Sequence, residues 1–302
     1  MRSSRPRTAI ILNAGSGDGA ADSAHDTLTE MFAAAGHDVE ITIFREPREL
    51  EDAVDRALAA DAECIVAGGG DGTISSVAQR ILGRDITLGV LPLGTLNHFA
   101  RDLRIPLDVA AAARIVLDGA TRKVDAGTVN GHLFLNNSSL GIYPRIVQLR
   151  ERYRAKGWTK WIIALWATAR VTSASQPMRA RIEVEGQVEH RRTPLIFVGN
   201  NEYRMEGFDA AGRESIARGH LALYVVSVHG FLPLMRLVWR ILTGRARASG
   251  ELSMVRGVSA TVDTARSPVS VAVDGEVKSI ETPLRYRILP GAITVCVPAT
   301  DD

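Results

Sequence analysis

Gly68-Gly69-Gly70-Asp71-Gly72-Thr73 follows the apolar run Cys64-Ile65-Val66-Ala67 and precedes a helical pattern that begins near Ile74. Glycine lets a backbone turn sharply and approach a ligand closely, because no Cβ intervenes. A strand that turns this way into a helix presents unpaired N–H groups and a positive dipole end, which attract phosphate. Asp71 adds a carboxylate where a phosphate-bound Mg2+ would sit, and Thr73 adds a hydroxyl. Taken alone, the same run also fits an ordinary tight turn between a strand and a helix.

A second segment bears on that choice. Val90-Leu91-Pro92-Leu93-Gly94-Thr95-Leu96-Asn97-His98-Phe99-Ala100-Arg101 again reads as strand, turn and helix, and brings Gly94, Thr95 and Asn97 to a strand end. Ligands of open α/β sheets sit beyond the carboxyl ends of the strands, so two such turns can line one crevice. Neither turn is a GxxxxGK[ST] loop or a GxGxxG fingerprint.

Working outward, strand patterns at Thr8–Leu12, Val39–Phe44, Cys64–Ala67 and Ile86–Leu91 interleave with helical ones. The helices are expected at Ala20–Ala35, Arg48–Ala60 and Ile74–Leu82, with a fourth capped by Asp108, running to Leu117 and stopped by Gly119. This alternation predicts a mostly parallel sheet covered on both faces. After Val129 the pattern changes to strands joined by turns: His132–Asn136, Ala180–Glu185, Leu195–Val198, His220–Val228, Val258–Val262, Val269–Asp274, Leu284–Leu289 and Ala292–Val297. That argues for an antiparallel sheet or sandwich. Helical patterns at Trp158–Arg170 and Leu232–Leu242 interrupt it. The predicted fold is an α/β nucleotide-binding domain over residues 1–128 and a β-rich antiparallel sandwich over residues 129–302.

The paired motifs GGGDGT and PLGTLNHFARDL resemble the diacylglycerol kinase catalytic family, which includes sphingosine, ceramide and bacterial lipid kinases. More distantly the chain is similar to NAD kinases and phosphofructokinases. The resemblance implies an ATP-dependent kinase that phosphorylates a hydroxyl of diacylglycerol or a related lipid, with Mg2+ as cofactor and a β-rich lipid-substrate domain. Asn13-Ala14-Gly15-Ser16-Gly17 looks like the family's opening Asn-Pro-x-Ser-Gly element, with Ala14 in place of proline. The resemblance makes Asn13, Gly15, Ser16, Gly69, Gly70, Asp71, Gly72, Thr73, Ser75, Gly94, Thr95 and Asn97 the nucleotide cradle, with Asp71 on the Mg2+-linked phosphates. It also implies that Glu276, in Val273-Asp274-Gly275-Glu276, is the base for the lipid hydroxyl. From the residues alone, an Asp-Gly-Glu turn is a hairpin tip. Asn136 and Asn137 either line the site or simply end a strand.

Three departures stand out. His98 replaces a common Asp; Ala217-Arg218-Gly219 replaces an Asp-Asp-Gly element that contributes to a structural Mg2+ site; Glu202-Tyr203-Arg204-Met205-Glu206-Gly207 replaces a glycine-rich run. The structural Mg2+ site is therefore expected to be absent. An NAD kinase-like enzyme with a soluble substrate, or a non-catalytic nucleotide- or lipid-binding relative, remain alternatives.

Composition sets the remaining bounds. With 302 residues, 46% of them hydrophobic, the chain can bury two cores. A net charge of +2 offers no case for nucleic acid. Cys64 and Cys296 read as core residues of a reducing compartment, which predicts a cytoplasmic protein. No apolar run approaches a membrane span. Basic clusters at Arg150–Lys160 and at Arg236, Arg240, Arg245 and Arg247 fit solvated helix faces or a peripheral contact at the inner membrane face. The stripe Trp158, Trp161, Ile162, Leu165, Trp166 and Ala169 fits either sheet packing or an interfacial helix. A homodimer is allowed without being required.

Overall fold

The computed structural model describes residues 7–16, 20–37, 39–154, 177–203, 213, 215–228, 230–243 and 250–299. The helix expected at Trp158–Arg170, with its tryptophan stripe, lies outside the described residues. So do Gly17, most of the segment 202–207 and the arginines at 245 and 247. The chain divides into two compact units, residues 1–125 with 291–302, and residues 126–290.

In the first unit, β1 (Thr8–Asn13), β2 (Val39–Phe44), β3 (Cys64–Gly69) and β4 (Thr87–Pro92) pair in parallel in the order β2-β1-β3-β4. The strands are short aliphatic runs because both faces are covered: Ile10, Leu12, Ile65, Val66, Leu88 and Leu91 have no exposed surface. Helices α1 (Ala20–Ala34), α2 (Pro47–Ala59) and α3 (Asp71–Ile81) are the connections. After β1 the chain steps outward to β2, then crosses back over β1 to β3. The strand order thus reverses between β1 and β3, and the loops that follow these two strands leave on opposite faces. The short α4 (His98–Asp102) and α5 (Val109–Asp118) follow β4. Asp108 caps α5, its carboxylate accepting the Ala111 N–H at 2.8 Å. Gly119 ends that helix at φ 72°. Cys64 and Cys296 are buried free thiols; a thiol–thiol contact and burial push the Cys64 thiol well above its ordinary range.

The second unit is an antiparallel sandwich. One sheet runs in the order β12-β11-β10-β7-β14-β15, made of β7 (Asn137–Gly141), β10 (Leu195–Asn200), β11 (Leu221–Val226), β12 (Leu252–Gly257), β14 (Val269–Val273) and β15 (Glu276–Ile280). The other joins β8 (Met178–Val184), β9 (Gln187–Thr193), β13 (Ser259–Thr264) and the first part of β16 (Leu284–Cys296). Leu140, Val198, Leu223 and Val271 of the first sheet meet Ile182, Val262, Leu284 and Tyr286 of the second in one core. β5 (Thr121–Val129) and β6 (His132–Phe134) form a hairpin, α6 (Ile142–Arg154) follows β7, and α7 (Phe231–Leu242) follows β11.

The fold class is the expected one: a mostly parallel α/β sheet and an antiparallel β sandwich. Several elements differ. β5, β7, β9, β12, β15 and α6 were not expected as elements, and the two expected final strands are one strand, Leu284–Cys296. Its first part pairs with β13, whereas its last part pairs in parallel with β4, Thr294 opposite Thr87.

Candidate active site

The carboxyl ends of β1, β3 and β4 are brought together by register, with Leu12 opposite Gly68 and Gly69 opposite Pro92. Three loops therefore meet where the strand order reverses. Helix α3 starts at Asp71, inside the glycine motif and three residues before the expected Ile74. Gly72 and Thr73 thus lie in its first turn, and the first in-helix bond is Ile74 N–H to the Gly70 carbonyl, 3.1 Å. The N–H groups before it have no acceptor within the helix.

Glycine is required at two places. A Cβ on Gly69 would overlap the Thr73 side chain, 2.6 Å from its Cβ. A Cβ on Gly94 would fall on Gly70 Cα and lie 2.8 Å from Asn97 Oδ1. The β3 and β4 turns therefore touch backbone to backbone.

Asp71 bridges the same two turns. Its Oδ2 accepts the His98 N–H at 3.1 Å and its Oδ1 the Phe99 N–H at 2.9 Å, so the carboxylate satisfies the open N-terminus of α4. The preceding residue, Asn97, sits in the left-handed region at φ 51° and is 3% exposed. Its Oδ1 accepts the Gly94 N–H at 3.0 Å, and its Nδ2 donates to the Gly94 carbonyl at 2.8 Å. On the β1 side, Asn13 Nδ2 donates to Thr73 Oγ1 at 3.1 Å, and Asn13 Oδ1 accepts the Gly15 N–H at 2.8 Å. The Ser16 N–H donates to the Asn13 carbonyl at 3.1 Å.

These bonds sort the candidate cradle residues. Ser16, Thr73, Ser75 and Asn97 are buried and shape the loops. Gly15 and Thr95 are exposed; Asn13, Gly70, Asp71, Gly72 and Gly94 are partly exposed. The N–H groups of Gly15, Ser16 and Gly94 are already used by neighbouring groups within their turns. The surface facing outward is therefore mainly the α3 N-terminus, flanked by Thr95.

In the second unit, Asp274 and Gly275 take φ 45° and 88°, the two positive values of a tight two-residue hairpin between β14 and β15. Glu276 follows at the hairpin end, with its side chain 54% exposed and Oε2 3.7 Å from Lys278 Nζ. Asp274 is the residue that sequence reasoning missed. Its Oδ2 accepts the Leu135 N–H at 2.7 Å, and its Oδ1 accepts those of Asn136 and Asn137 at 2.8 and 2.9 Å. The hairpin is thereby clamped to the segment that enters β7. Asn136 is buried at 3% exposure within a polar network. Arg213 Nη1 donates to the Leu135 carbonyl, Asn200 Nδ2 donates to the same oxygen, and Tyr203 Oη donates to the Asn136 carbonyl. Glu202, 2% exposed, pairs with Arg256 at 2.6 Å. A lone Asp, Arg or Tyr in a polar segment carries no spacing signal, which is why this network was not legible beforehand.

Among the described residues, no group of three or more His, Cys, Asp or Glu could hold a metal ion. Asp71 is a carboxylate in the first turn of α3. A single carboxylate there suits an ion carried mainly by phosphates.

A parallel sheet with a glycine-lined helix N-terminus at its switch point, in a chain that also holds an antiparallel sandwich, is an architecture that can present backbone N–H groups to a phosphate-bearing ligand. Comparison with known proteins agrees: residues 7–129 match the diacylglycerol kinase catalytic domain, and residues 146–297 match the YegS C-terminal NAD kinase beta sandwich-like domain. A "Probable lipid kinase YegS-like" protein of Pseudomonas syringae pv. tomato is 30% identical over 277 residues, covering 87% of this chain and 85% of its own. A "Diacylglycerol kinase" of Staphylococcus haemolyticus is 26% identical, covering 81% and 74%. A crystal structure of a diacylglycerol kinase from Bacillus anthracis shares the fold, with a TM-score of 0.75 at 23% identity over 97% of both chains. The chain belongs to the YegS-like lipid kinases of the diacylglycerol kinase catalytic family, and it is a kinase by family.

Proposed function

We propose that this kinase transfers the γ-phosphoryl group of ATP to a hydroxyl of diacylglycerol or a related lipid. The observation that carries the nucleotide half is the contact of Gly70 with Gly94 beside the α3 N-terminus, which leaves backbone N–H groups where phosphates would be held. The first unit, residues 1–125 with 291–302, would bind the nucleotide, and the second, residues 126–290, the lipid. Mg2+, when bound, spreads the charge of the phosphates, and Asp71 is the side chain that would hold it. Asp71 also fixes the α4 turn against the glycine loop, so one carboxylate both builds the cradle and addresses the ion. Glu276 would accept the hydroxyl proton as the lipid oxygen attacks phosphorus and the bond to the leaving ADP breaks. The absence of the structural Mg2+ site near Ala217–Gly219, a cytoplasmic location and a peripheral contact with the inner membrane face belong to the same proposal.

Incubation with γ-labelled ATP, Mg2+ and diacylglycerol, ceramide or sphingosine in mixed micelles tests this reading. Label should enter a lipid. Glu276→Gln should bind ATP as the wild type does and turn over far more slowly. Equal turnover by the variant would remove Glu276 from the reaction.

A further inference from the structure

Helix α7 is apolar on two sides. Leu237 and Ile241, one turn apart, pack on Val226 and Leu252 of β11 and β12 together with Leu195. Leu232, Met235 and Trp239 project on the other side, with Val238 at its margin. Leu232 is 77% exposed, Trp239 66% and Val238 40%. A single helix face carrying two of the most exposed large apolar side chains in the described chain costs solubility with no return in packing.

The polar border of this face is basic. Arg236 and Arg240 flank it, and both reach Glu251 on the core side, at 2.6 and 2.7 Å. Glu251 is 12% exposed, whereas the Arg236 side chain is 59% exposed. From Phe231 to Glu251 the sequence holds four arginines, at 236, 240, 245 and 247, against that one glutamate. Convex apolar surface with an indole and an arginine border matches the plane of an anionic bilayer, where tryptophan sits at headgroup depth and cations meet lipid phosphates.

We propose that α7 docks this kinase onto an anionic phospholipid surface, with Leu232 and Trp239 inserted and the exposed Arg236 at the headgroups. The proposal deepens the lipid-kinase reading, since an acceptor resident in a bilayer requires the enzyme at that surface. The docking nevertheless stands or falls on binding alone.

The full chain is sedimented with vesicles of phosphatidylcholine, with and without phosphatidylglycerol. Wild type should bind only the anionic vesicles, and less as salt is raised. Leu232→Ser with Trp239→Ser should lower the partition constant by about tenfold or more, the scale for withdrawing two large apolar side chains. Circular dichroism checks folding, and the single Trp239→Ser carries the test if the double variant does not fold. The variant should phosphorylate a short-chain, monomeric diacylglycerol at the wild-type rate. No binding of wild type to anionic vesicles, or equal binding by the variant, overturns the proposal. So does a wild-type dimer that the substitutions dissociate while vesicle binding is unchanged, since a second copy would then cover α7. Binding through α7 by a protein that labels no lipid leaves the docking intact and removes the lipid-kinase reading instead.

Discussion

Asp71 and Asp274 solve similar problems in different units. Each is a carboxylate that collects backbone N–H groups from a segment distant in sequence: His98 and Phe99 for Asp71, and Leu135, Asn136 and Asn137 for Asp274. A hydrogen bond to a charged acceptor is worth about 1.5–3 kcal/mol. Asp71→Asn replaces one acceptor oxygen by an NH2 group, so one of the two α4 bonds is lost. Stability should fall by about 1.5–3 kcal/mol in denaturant titrations. Phosphoryl transfer should fall by orders of magnitude even where the variant is fully folded. Unchanged turnover would show that Asp71 only builds the loop. Asp274→Asn should cost a similar amount, because Oδ1 can keep Asn136 and Asn137 while Leu135 loses its acceptor. An unchanged melting curve would mean the hairpin is held by other contacts.

At the scale of elements, the legible parts are those whose pattern is set by burial. Strands β1, β3 and β4 are mostly aliphatic because helices cover both faces, and each ends at a glycine, asparagine or proline that marks the turn. The β7 strand, Asn137-Ser138-Ser139-Leu140-Gly141, hides for the opposite reason. It lies between β10 and β14, so its polar residues are buried in a central strand, with Ser138 and Ser139 at 0% exposure. β9, Gln187–Thr193, is exposed along nearly its whole length and has no apolar alternation to read. The glycine motif was legible as a turn from strand to helix, but the closure of the two turns on each other is a tertiary fact. Gly94→Ala tests that closure. Its Cβ would fall on Gly70, so the β4 turn must move, costing about 1–3 kcal/mol and the nucleotide site with it. Calorimetry should show ATP affinity lost in a protein that still folds. Wild-type affinity would mean that the two turns need not touch.

Across the whole molecule, the chain does not divide at one point. The residues from Gly291 onward return to the first unit, where Ile293, Val295 and Val297 are buried and Val297 N–H donates to the Ala120 carbonyl at 2.9 Å. Three such side chains, at about 1.5–3 kcal/mol each, rival the stability of a domain. A chain ending at Pro290 should therefore expose the β4 edge and aggregate, with fast exchange of the β4 amides that face away from β3, whereas Thr87, whose N–H donates to the Glu63 carbonyl, stays protected. Protection of those outward-facing amides in a monomeric truncated chain would show that the last strand is dispensable.

The choice of acceptor is the claim on which the functional account rests. Full-length protein, γ-labelled ATP and Mg2+ should be mixed with diacylglycerol micelles and NAD in the same tube, and both products separated. The account predicts label in the phosphorylated lipid and none in the phosphorylated dinucleotide. Label in the dinucleotide, or no transfer by a protein that binds ATP, would contradict it.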